Sequence, residues 1–71
     1  MNTEDKVIIL EALIKRSLSG QSLDPMEGCR IIHKDWHKVS DYLEELVRKG
    51  LAKYDPSRRM IDGIHRYVIN K

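Results

Sequence analysis

Cys29, His33 and His37 fall at i, i+4 and i+8, the spacing that lines one stripe of an unbroken helix. Cysteine and histidine are zinc ligands, and His65 could supply a fourth donor. The competing reading is packing, since a lone cysteine is most often a small buried apolar residue. A helix break expected between residues 33 and 36 destroys the stripe, so no metal is assigned. Nucleophilic chemistry has less to work with. Ser17, Ser19, Ser22, Ser40 and Ser57 show no nucleophile-elbow setting. The stretches around Gly20 and Gly63 lack the spacing of a phosphate-binding loop. A chain of 71 residues also leaves little room for a water-excluding pocket. Neither an enzyme nor a cofactor is expected.

The cationic residues are the other candidates, because Lys and Arg neutralise phosphate. Net charge is only +2, but its distribution is uneven. Residues 1–20 are neutral, and residues 21–50 hold five bases against six acids. Residues 51–71 hold Lys53, Arg58, Arg59, Arg66 and Lys71 against Asp55 and Asp62, an excess of three positive charges. Arg58 and Arg59 alone are two bases in a turn. With Lys53, Arg66 and Lys71 nearby, they make an electrostatic footprint suited to an anionic partner.

Size and composition limit what can position these residues. The chain is expected to form one domain over residues 1–71, with at most three or four elements around one core. A chain this short buries only about 60% of its unfolded surface. No apolar run approaches the ~20 residues of a membrane span. Met1-Asn-Thr-Glu-Asp5 lacks the basic flank and apolar stretch of a signal peptide. One cysteine cannot form an internal disulfide. These features lead us to expect a cytoplasmic protein without a membrane partner.

Residues 3–19 read as a helix. Asn2 or Thr3 can cap it, and Glu4 and Asp5 suit the positive end of its dipole. Val7, Leu10, Ile14 and Leu18 recur at helical spacing, and Ile9 and Leu13 widen the face expected to be buried. Ser19-Gly20 ends it. Gln21 to Asp24 is a connector, and Asp24-Pro25-Met26-Glu27 starts a short second helix. Ile31 and Ile32 are its expected core contacts, beside Met26 or Cys29.

Cys29, Ile32, Trp36, Val39, Leu43 and Leu46 fit a seven-residue repeat, which would favour one continuous helix. Twenty-five residues of helix would span ~37 Å, longer than a domain of this size is wide. Asp35 is a cap for a helix that starts at Trp36, so a break is expected. The third helix should bury Val39, Tyr42 or Leu43, Leu46 and Val47, and stop at Gly50. Leu51–Tyr54 and Ile64–Ile69 read as strands, with turns at Asp55–Arg59 and Asp62-Gly63. They are expected to pair as an antiparallel hairpin around eight or nine residues, with Tyr54 facing Tyr67 or packing on the first helix. Trp36 is expected to pack between helices; an exposed Trp36 beside Ile31 would suggest a protein interface.

The run Val39-Ser40-x-Tyr42-Leu43-x-x-Leu46-x-x-Lys49-Gly50-Leu51, followed by Gly63-x-x-Arg66-Tyr67-x-Ile69, resembles the winged-helix (winged helix-turn-helix) family of DNA-binding domains. The likeness covers most of the chain, although the pattern also describes any amphipathic helix feeding a hairpin. It implies an α+β fold of three helices and a C-terminal two-stranded antiparallel wing. It also implies that the N-terminal half of the third helix enters the major groove while the wing meets the DNA backbone. Carried onto this sequence, it nominates Lys34, His37, Lys38 and Ser40, then Arg58 and Arg59 at the wing tip, with Arg66 projecting from the second strand.

The sequence departs from the family pattern at Asp41, Glu44 and Glu45, acids on the exposed side of the third helix. The expected function is sequence-specific binding of double-stranded DNA by a small transcriptional regulator. With so few cations per chain, a homodimer or a larger protein partner is expected to assist. The alternative is the same fold used as an adaptor or inhibitor of a larger nucleic-acid-processing machine.

Overall fold

The computed structural model describes residues 1–57 and 64–70. Three helices lead into a two-stranded antiparallel sheet, the α+β order expected from the sequence. Helix α1 (Thr3–Leu18) starts where the Asn2 side chain accepts the Asp5 backbone N–H at 2.8 Å. Glu4 and Asp5 occupy its first turn and Lys15 and Arg16 its last, both favourable to the helix dipole. Helix α2 (Pro25–Ile32) carries a complete capping box. Asp24 Oδ1 accepts the Glu27 N–H at 2.8 Å, and Glu27 Oε1 accepts the Asp24 N–H at 3.1 Å.

His33 then enters the left-handed region at φ 56°, ψ 41°, and its N–H donates to Cys29 O at 2.8 Å. This residue makes the break. Helix α3 (Trp36–Arg48) begins at once, with Asp35 accepting the His37 N–H at 3.0 Å. The folded chain is 29 Å in its longest dimension, shorter than the ~37 Å of an uninterrupted helix through the same residues.

Strands β1 (Ala52–Tyr54) and β2 (Tyr67–Ile69) pair with Ala52 opposite Ile69 and Tyr54 opposite Tyr67. Both are shorter than the sequence suggested. Asp55 N–H still donates to Arg66 O at 2.9 Å, but Ile64–Arg66 do not continue the strand. The expected connector holds a pairing that sequence reading missed: Leu23 and Tyr67 exchange backbone hydrogen bonds of 2.9 and 2.8 Å. β2 therefore runs between Leu23 and β1.

The core gathers Ile9, Leu13, Leu23, Ile32, Val39, Leu43, Leu46, Ala52 and Tyr67. A Cβ at Gly28 would stand 2.6 Å from Val39 Cγ1 and 3.2 Å from Ile9 Cδ1. The missing side chain thus sets how closely α2 approaches its neighbours. The expected α1 face needs correction. Ile9 and Leu13 are buried, while Val7, Ile14 and Leu18 are 49%, 40% and 76% exposed. The inward face is completed instead by Arg16 and Ser17, polar residues with inward partners. Arg16 Nη1 donates to Glu27 Oε2 at 2.6 Å, and Ser17 Oγ accepts the Ile69 N–H at 2.9 Å. On α2, Ile32 is buried, whereas Ile31 and Met26 point outward. On α3, Val39, Leu43 and Leu46 are buried, flanked by half-buried Tyr42 and Val47.

Candidate nucleic-acid interface

The sharp turn at His33 leaves the start of α3 uncovered, and three of the nominated residues lie there. Lys34, His37 and Lys38 are exposed. Among the described residues, neither lysine forms an ion pair, so both ammonium groups face solvent. The His37 ring stacks on half-buried Trp36 at 3.9 Å, which orients the imidazole at the helix start. Cys29, His33 and His37 do not share a helical stripe, because α2 and α3 are separate rods. Among the described residues, no three His, Cys, Asp or Glu side chains gather as a metal-ligand set.

Ser40 does not join this outward group. It is half-buried, and its influence falls on the Tyr67 phenol, where it slightly offsets the upward pull of burial and Glu44. Arg66 does not project outward either. Its Nε donates to Ser22 Oγ at 2.6 Å, Nη1 to Asp24 Oδ2 at 2.9 Å, and Nη2 to Glu27 Oε1 at 3.1 Å and Ser22 O at 3.2 Å. Four polar contacts turn this guanidinium into an internal tie between the approach to β2 and the start of α2. Glu27 receives Arg16 on its other oxygen. Burial pulls the Glu27 pKa up, but the Asp24 backbone N–H and the two guanidiniums outweigh it and hold the carboxyl below its ordinary range. Arg58 and Arg59 lie outside the described residues.

Two of the three acids on α3 have structural partners. Glu44 accepts from the Tyr54 hydroxyl at 2.7 Å and from the Tyr67 hydroxyl at 2.9 Å. Burial, then the Glu44 carboxylate, pushes the Tyr67 phenol well above its usual pKa. Tyr54 shifts upward chiefly through its hydrogen bond to Glu44. Glu45 meets Lys49 at 3.9 Å, one helical turn on. Asp41 remains exposed.

Sequence reading missed the reach of this surface. Lys38, Asp41, Glu45 and Arg48 recur at i, i+3, i+7 and i+10 and so share one side of α3. That spacing was available in the chain. Together with Lys6 and Tyr42 they line an open groove of about 320 Å³ between α3 and the start of α1. Lys6 Nζ lies 5.7 Å from the Tyr42 ring centroid, a cation–π contact. Along the groove Asp41 and Glu45 lie between Lys38 and Arg48, while Lys6 sits over Tyr42. Near the two-stranded sheet, Tyr54 stacks on His65 at 4.2 Å and meets Tyr67 at 5.5 Å.

Cations therefore mark both ends of α3, and acids its middle. A phosphate partner would be favoured at the N-terminal end and disfavoured along the centre. Among the described residues, no helix is long and apolar enough to cross a membrane. Comparison with family models, with curated proteins and with solved structures finds no match.

Proposed function

We propose that this chain binds double-stranded DNA as a small transcriptional regulator with winged-helix architecture, meeting the duplex with the N-terminal end of α3. The observation that carries this reading is the group Lys34, His37 and Lys38, exposed at a helix start, with neither lysine ion-paired among the described residues. Entry by the helix tip lets a few residues reach base edges while the rest of the rod leaves the groove. His37 and Lys38 are the base-edge candidates; Lys34 and the wing pair Arg58 and Arg59 contact phosphate. Asp41, one turn further in, can accept from cytosine N4. Ser40 and Arg66 are assigned structural roles.

The test is fluorescence anisotropy on a random duplex pool at low salt, followed by selection for an enriched site. Lys34→Ala with Lys38→Ala is expected to weaken binding at least tenfold and to flatten its salt dependence. Arg58→Ala with Arg59→Ala should do the same. No salt-dependent binding to any duplex would sink the proposal. So would affinity that survives loss of all four cations.

A second reading rests on Asp41 and Glu45, which give the middle of α3 an acidic surface. It makes the same fold an adaptor that docks on a basic protein surface. A stable heterocomplex together with absent duplex binding would select it.

A further inference from the structure

Val7, Ile14 and Leu18 stand 49%, 40% and 76% exposed on α1. Their i, i+7, i+11 spacing aligns them in one stripe opposite buried Ile9 and Leu13. Exposed apolar residues scattered singly are ordinary, but three on one side of one rod, with Glu11 interposed between Val7 and Ile14, make an amphipathic interaction surface. The row is bordered by exposed Glu4 and Glu11 toward its start and exposed Lys15 toward its end. An acidic first half and a basic second half fit an identical helix running the other way.

We propose that this face is a self-association surface, in which α1 of one chain packs antiparallel on α1 of a second copy. With the two-fold axis between residues 12 and 13, Val7 of each copy lies opposite Leu18 of the other, and Ile14 opposite Glu11. Glu11 then sits within one residue's rise, about 1.5 Å, of the level of Lys15 across the interface. Two Glu11–Lys15 pairs flank the apolar seam, as an isologous contact requires. Glu4 and Glu11 fit this occupant better than a lipid surface, which favours a Lys- and Arg-rich border. One helix pair buries less than the roughly 800 Å² per partner of a standard interface, so a weak, micromolar dimer is expected.

Sedimentation velocity of the full chain over a range of concentrations tests this, with circular dichroism to verify folding of each variant. Wild type is expected to shift from monomer to dimer as concentration rises. Ile14→Asp and Leu18→Asp should each raise the dissociation constant at least tenfold. Glu11→Lys and Lys15→Glu should each weaken the dimer, and the double exchange should recover it. A monomer at every concentration overturns the proposal. A dimer that none of these substitutions changes overturns it equally, because another surface then holds the copies together.

Discussion

Arg66 shows how one side chain can change its assignment once its neighbours are known. In the linear chain it reads as a base on a cationic hairpin; folded, it is held by Ser22, Asp24 and Glu27, which lie 44, 42 and 39 residues away. Removing it leaves two partly buried carboxylates with reduced compensation. Arg66→Ala is expected to lose about 2–3 kcal/mol of stability in urea denaturation, somewhat less than a fully buried pair because the site keeps some solvent. Lys38→Ala, at an exposed position without an ion pair among the described residues, should stay within about 0.5 kcal/mol. Glu27 adds a pH dependence. Its folded pKa lies below the ordinary 4.5, so the unfolded chain takes up the proton first as pH falls. The stability it contributes is present above the unfolded value and is lost as pH drops through the lower folded value. Denaturation midpoints measured from neutral pH into acid should fall in that window, and Glu27→Gln should flatten the decline.

At the scale of elements, the α2–α3 junction turns on a residue that is not glycine. His33 holds φ 56°, a conformation that disfavours a Cβ. His33→Gly is expected to raise stability by roughly 0.5 kcal/mol, the relief of strain being partly offset by a more flexible unfolded chain. A lower melting temperature in scanning calorimetry would count against this account. Helix boundaries were legible because their signals are local: Asn2, Asp24 and Asp35 cap, Pro25 opens, and Gly50 closes with φ 77°. The buried side of α1 was legible only in part. Arg16 and Ser17 look like surface residues until Glu27 and the Ile69 N–H are known to meet them, so the apolar pattern joined exposed Val7, Ile14 and Leu18 to the inward Ile9, Leu10 and Leu13. The Leu23–Tyr67 pairing was hidden for the same reason, since a single bridging residue carries no periodicity. The site was legible in part. Lys34, His37 and Lys38 are exposed as expected, whereas the inward turns of Ser40 and Arg66 depend on distant partners.

For the molecule as a whole, cation number sets how strongly a duplex could be held. Lys34, Arg58 and Arg59 make three candidate phosphate contacts, which predicts a slope of log affinity against log salt of about −2.7 per chain. Two chains on one site would double it, and Lys34 alone should account for about a third. A slope near zero would show that those cations do not meet phosphate. Glu44 gives this surface a further property, because its carboxylate is bonded at once to a phenol from each strand. The angle between rod and hairpin is thereby set before any ligand arrives. If the proposed duplex binding holds, little ordering is left to do on contact, so the small heat-capacity change of rigid docking is the thermodynamic signature to expect.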